Sequence, residues 1–230
     1  MNRKILSMIG VVLILFVFSS CTSGPEQGLL KSYFAAVSMN DAQTMSTMSL
    51  QPLKIDVSDW EVVDAGEELV NPATLPDLNT TELALKKQVE DSVSTTLDAS
   101  DELDNAKFEL ENARTRAARS TVQKKVDELQ TKYDEVYETH KELQRQLNEA
   151  KAVSDREEEI AIFSIGVGEL PNIREMKGDV HSKKVQVKCT LRSGGEKTYN
   201  VFIRRYVLQD EMMNLSRRGR WIIVNFELVN

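Results

Sequence analysis

From Leu78 to Ile165 the chain contains neither Gly nor Pro, and the middle of this stretch is charged and regularly spaced. Gly and Pro punctuate chains more strongly than any other residues, so their absence over such a run leaves little room for anything but helix. The second half carries a heptad seam: Val122, Val126, Leu129, Tyr133, Val136, His140, Leu143, Leu147 and Ala150. Alternating steps of four and three place these side chains on one stripe of a helix. The first half has a weaker seam, running Leu85, Val89, Ser92, Thr96, Ala99, Leu103, Ala106, Leu110, Ala113 and Ala117. Its phase would next reach Ser120 and Lys124, but the pattern restarts at Val122. A break at Arg116–Thr121 fits either a stutter in one continuous helix or a turn between two.

The turn is the preferred reading. It makes two arms of about 37 residues, roughly 55 Å of helix each. A turn near Arg119 sets small residues against large ones, Ala106 facing Tyr133 and Ala99 facing His140. It also returns both ends to one domain. Ser120 is the expected N-cap of the second arm, and Asn79 or Thr80 that of the first. His140 is expected to be a packed seam residue, with no second His near it. Thr81 to Glu158 holds 13 Lys plus Arg against 19 Asp plus Glu, a net −6 of the chain's −7. This reads as a solvated helical surface or, more sharply, as an acidic surface that selects a basic partner. Arg114, Arg116 and Arg119, near the expected tip, are the candidate partner contacts.

The first 20 residues set the compartment. Arg3 and Lys4 precede an apolar run from Ile5 to Phe18, followed by Ser19-Ser20-Cys21. The run is short for a membrane span and ends in small residues, as signal peptides do. Its end resembles a bacterial lipobox, with Phe18 where Leu is preferred. That resemblance implies lipidation of Cys21 and anchoring to a membrane, which more than one acyl chain makes stable. Thr22 after the Cys, by resemblance to lipoproteins of two-membrane bacteria, implies the outer membrane facing the periplasm. Cys189, the other cysteine, alternates with Val187 and Leu191 as a buried strand residue would, and one mature thiol cannot form an internal disulfide.

The flanks read as one discontinuous α+β domain, 28–76 with 160–230, behind a tether at 21–27, with the helical hairpin at 77–159. Leu29 to Val37 reads as a helix, and Asn40-Asp41 caps a second through Met48, with Met39, Met45 and Met48 expected in the core. Leu53, Ile55 and Val57 alternate as in a half-buried strand, with a bulge near Ser58-Asp59 shifting the phase to Trp60 and Val62. Ile160 to Val167 reads as a strand, ended by Leu170-Pro171. Val185, Val187, Cys189 and Leu191 alternate with polar residues up to Gly194-Gly195, a hairpin turn. A three-residue loop, Gly194 to Glu196, pairs Leu191 with Tyr199, Cys189 with Val201 and Val187 with Ile203. Asn214 to Gly219 is the next break, and Ile222, Val224, Phe226 and Leu228 share a face of the last strand.

Leu29-Leu30-Lys31-Ser32-Tyr33-Phe34-Ala35-Ala36, then Asn40-Asp41, and the closing Arg220-Trp221-Ile222-Ile223 resemble the nuclear-transport-factor-two-like family. That resemblance implies a cone-shaped antiparallel sheet wrapped on N-terminal helices, here interrupted by a long antiparallel coiled-coil hairpin. Enzymes of that family use polar residues inside the cone, whereas the inward positions here are mostly aliphatic or aromatic. The sequence offers no nucleophile–base pair, metal-ligand spacing or Gly-rich phosphate loop, so no catalytic residue, metal or cofactor is expected. Arg204-Arg205 and Arg217-Arg218 read as solvated strand edges and a loop that discourage edge pairing, with anionic lipid headgroups or a partner's acidic surface as the alternative contact. The acidic composition and the export signal argue against nucleic acid. The leading expectation is a non-catalytic, lipid-anchored envelope protein whose hairpin is a spacer or a docking arm for another envelope protein. A small-ligand-binding cone is one alternative. The other is a periplasmic adaptor, since Trp60 to Val70 resembles the lipoyl side of such proteins.

Overall fold

The computed structural model describes residues 24–166, 172–210 and 214–229. Cys21, the signal segment and the Leu170-Pro171 break lie outside the described residues. Helix α1 spans Pro25–Ser38. Proline fixes a helical φ and lacks an N–H that a first turn could not use, so the helix starts inside the segment expected to be tether. Its inward face, Leu30, Tyr33, Phe34 and Val37, is at most 1% exposed. Asn40, at φ +54°, turns the chain, and Asp41 accepts a hydrogen bond from the Thr44 amide to cap α2, Ala42–Met48. Met45 and Met48 pack on the core. Met39 does not; it follows the last turn of α1 and is 70% exposed.

The sheet begins with β1, Val57–Asp64, and β2, Glu68–Pro72. The expected bulge lies between Val57 and Asp59. Leu53 and Ile55 touch the core without forming a strand, and the Tyr33 hydroxyl takes up the Leu53 amide at 2.7 Å. After the long helices come β3, Lys177–Leu191, β4, Glu196–Asp210, β5, Leu215–Arg218, and β6, Ile222–Leu228. β3 pairs with β1 and β2 along one edge and β4 with β5 and β6 along the other, all antiparallel. Two 15-residue strands at the centre of a twisted sheet cannot stay flat, and the sheet curls into a half-barrel. The stretch compared above with a lipoyl lobe is thus part of this one sheet.

The β3–β4 register differs from expectation by four residues: Val187 faces Tyr199 and Val185 faces Val201. The turn is Arg192–Gly195, and the two glycines, both at positive φ, close its β4 side instead of forming its centre. An even shift preserves which face each side chain points to, so the expected apolar face survives. In β6 a bulge between Ile223 and Asn225 reverses the phase. Ile222 and Val224 therefore lie in one core and Ile223 and Phe226 in the other, and Leu228 is 50% exposed. The break expected at Asn214 to Gly219 contains β5, which pairs with Val207–Asp210.

The two long helices are α3, Leu75–Asn112, and α4, Arg116–Ile165, of 38 and 50 residues, or about 57 and 75 Å. The connection is Ala113–Thr115, not a turn near Arg119. Thr115, not Ser120, caps α4, accepting from the Ala118 amide at 3.2 Å, and Thr74 stands at the N-cap of α3. Ile160 to Ile165 is helix, not strand; Gly166 ends it at φ +74°. The alternating faces of the sheet serve two cores. One is covered by α1. The other joins Val180, Tyr206, Leu208, Ile222 and Val224 to Ile160 and Ala161 of α4 and Leu75 of α3.

Candidate functional site

The long helices are held differently at their two ends. Near the sheet, Ser164 is fully buried; its Oγ donates to the Arg220 carbonyl at 2.8 Å and accepts from the Tyr206 amide at 3.2 Å. The approach is so close that a Cβ on Gly219 would lie 2.3 Å from that oxygen. Glu157 accepts from the Tyr206 hydroxyl at 2.6 Å and pairs with Arg204 at 3.2 Å. Burial, then the bond to Glu157, pushes the Tyr206 phenol above its ordinary range. Arg174, in a 3₁₀ turn at Ile173–Glu175, pairs with Glu82 of α3 at 2.8 Å and with Glu158 of α4 at 2.6 Å, and also reaches Asp155. One guanidinium thus joins both helices where they leave the sheet. Its planar fork of donors suits it to hold several carboxylates at once.

Further out, the helices rely on each other. The seam positions of both are buried or half-buried as far as Ala113 on α3 and from Val122 on α4, and Leu103, Ala106 and Val126 form a small core. Ser92 Oγ shares a 2.8 Å hydrogen bond with His140 Nδ1. Ser92 rather than Ala99 faces His140, a slide of one heptad that keeps the same seam positions in contact. Lys132 donates to Glu102 at 2.6 Å and Lys125 to Glu109 at 2.8 Å across the helices.

At the far end Arg114, Arg116 and Arg119 are all exposed, and none has an ion-pair partner among the described residues. The connection at Ala113–Thr115 brings Asn112 to Lys125 together there. This segment holds five cations, those three with Lys124 and Lys125, and no Asp or Glu. The rest of Thr81 to Glu158 keeps eight cations against 19 acids. The result is a basic cap on an acidic stalk, chemistry suited to gripping an anionic surface through guanidinium forks.

A second polar cluster ties β2 to the centre of the sheet. His181 Nδ1 lies 2.6 Å from Glu68 Oε1, and Arg205 reaches both at 3.3 and 3.6 Å while stacking 4.8 Å over the Trp221 ring. Burial, then the charge of Arg218, lowers the pKa of Arg205. Cys189 is buried and its thiol is pushed up to about 11 by burial, which keeps it protonated and poorly nucleophilic. Among the described residues no three His, Cys, Asp or Glu side chains are placed to hold a metal, and no helix is long and apolar enough to cross a membrane. Neither a family model, a curated protein nor a solved structure matches the chain.

The sequence had offered the three tip arginines. It had not offered Arg174, Ser164 or Glu157, whose partners lie up to 92 residues away.

Proposed function

We infer that this protein is a non-catalytic, lipid-anchored component of a bacterial envelope, held by acyl chains on Cys21 and facing the periplasm from the outer membrane where there are two membranes. In this reading the curled sheet with α1 is a cone of the nuclear-transport-factor-two-like kind, and α3 with α4 is an antiparallel coiled-coil hairpin that carries a docking tip away from it. The single observation behind it is the contrast along the hairpin: a root bonded into the sheet, and a tip of exposed, unpaired arginines free of acids. Such a tip selects a partner protein with an acidic surface, because opposite charge steers encounter and like charge excludes other partners. Leu30, Tyr33, Phe34 and Val37 fill the space under α1, which supports a structural use of that face over ligand binding.

The test is site-specific photo-crosslinking in cells, with the probe at Arg116 or, for comparison, at exposed Val153 near the root. The tip probe should capture one acidic envelope protein, and Arg114→Gln/Arg116→Gln/Arg119→Gln should abolish the capture. Equal capture from both positions, or capture indifferent to the three arginines, would remove the docking role. Cys21→Ser should leave the chain unprocessed; cleavage and release at the same site would exclude the lipid anchor.

A further inference from the structure

On the face of the sheet beside the root of α4 lies a groove of about 660 Å³. Side chains alternate along a strand, so the even-numbered residues of β3 and β4 line this face while their odd neighbours pack under α1. The pairings Lys184 with Phe202 and Phe202 with Asn225 set three side chains in one row across β3, β4 and β6. The adjacent row pairs Ser182 with Arg204. Lys184 and Arg204 are therefore diagonal neighbours, about 7–8 Å apart along the backbone lattice. Arg156 of α4 adds a third cation to the wall.

These charges are unevenly answered. Arg204 is held by Glu157. Lys184 and Arg156 are exposed and have no ion-pair partner among the described residues. Lys183, also at the groove, pairs with Glu26 at 2.9 Å. Among the described residues the one acid in the lining, Glu227, stands at the β6 side, where Asn225 donates to it at 3.4 Å. On a chain of net charge −7, a concave surface with this excess of cations stands out. Between the cations the walls are apolar: Ile160, Phe202 and Val224. The volume falls within the range of small-molecule sites, which combine apolar walls with a few placed polar groups.

We propose that this groove binds an anionic amphiphile, a phosphate- or carboxylate-headed molecule bearing an acyl chain. The headgroup sits among Lys184, Arg156 and Arg204, with Ser182 as a further donor, and the chain runs along Phe202, Val224 and Ile160. Glu157 already answers Arg204, whereas Lys184 and Arg156 have no ion-pair partner among the described residues, and the headgroup supplies the anion that these two lack. The apolar walls distinguish such a ligand from a free anion.

The site is tested on the full chain in nanodiscs of neutral phosphatidylcholine, by titration calorimetry with dihexanoylphosphatidylglycerol below its critical micelle concentration. Dihexanoylphosphatidylcholine and glycerol 3-phosphate serve as the uncharged-headgroup and chainless controls. The anionic lipid should bind at one site, at least tenfold tighter than either control. Lys184→Glu or Arg156→Glu should weaken it at least tenfold, the size of a lost charge-assisted bond, and Lys184→Arg should retain it. Both reversals are at exposed side chains; should either lower the melting temperature, Lys184→Gln and Arg156→Gln are read in their place. Equal binding of the two lipids, glycerol 3-phosphate binding as tightly as the lipid, or indifference to the charge changes would each overturn the proposal.

Discussion

The root of the long helices is built on acids paired into the domain and the tip on cations left to solvent, and the two ends are held by opposite means. At the root, side chains reach partners on other elements: Ser164 bonds the sheet, Glu157 bonds Tyr206, and Arg174 joins α3 to α4. At the tip the arginines meet solvent. A buried hydrogen-bonded group is costly to disturb because its partner is left unsatisfied, whereas an exposed charge loses little on removal. The helices are therefore integral to the domain over the first turns of α3 and the last turns of α4, and independent of it further out. Mutations placed along them should grade accordingly.

The largest effect is expected at Ser164. Ser164→Val strands the Tyr206 amide and the Arg220 carbonyl and drives a methyl toward Gly219, at a cost of about 4 kcal/mol in chemical denaturation. A loss below about 1 kcal/mol would mean the root contact is dispensable. Arg174→Ala comes next. It leaves Glu82, Asp155 and Glu158 facing one another without their shared cation, and should cost about 3 kcal/mol and loosen both helices together. Leu103→Ala, in the distal core, removes a side chain only 3% exposed and should cost about 2–3 kcal/mol. Its loss should register in helical circular dichroism melting and not in the fluorescence of Trp221, which reports the sheet. If both signals shifted together, the distal helices would not be independent. The triple change of Arg114, Arg116 and Arg119 to Gln should move stability by less than about 0.5 kcal/mol.

A pH titration sharpens the contrast from the sheet side. The Cys189 thiol in the folded chain is pushed up to about 11, so the neutral form is the one the fold favours. Its contribution is fully present below the ordinary thiol range and is lost as pH rises through that range toward 11, where the unfolded chain alone carries a thiolate. The melting temperature of the sheet should fall over that interval, and the fall should be smaller in Cys189→Ala. The same slope in both proteins would remove the attribution to this thiol.

Local signals were legible. The α2 cap at Asp41, the bulge after Val57, the apolar faces of β3 and β4 and the heptad seams all came from neighbours in sequence. What failed needed distant information. Ile160 to Ile165 is a short apolar run, and periodicity cannot separate a buried strand from a buried helix over such a length. Here helix already formed upstream propagates to Gly166, because extending a helix is easier than starting a strand beside it. The tip lies a few residues before the seam break because Ala117 and Ala118 are strong helix formers that join α4 before its seam resumes at Val122. The β3–β4 register slipped because Gly194-Gly195 marks a turn without saying where its centre lies. Of the candidate site, the tip arginines could be found because a seam break marks a tip. Arg174 could not, since nothing near it in sequence names three acids on two other helices. The groove beside α4 was hidden as well, because Lys184, Arg204 and Arg156 come together only once register and helix end are known.

Native-state hydrogen exchange, residue by residue on the full chain, tests the division of the long helices most directly. Amides between about 95 and 135 should exchange through an opening well below the global unfolding free energy, while those from Asp155 to Ile165 should exchange only with the sheet. Uniform protection along both helices, or exchange of the root before the tip, would contradict a domain that carries an independent arm.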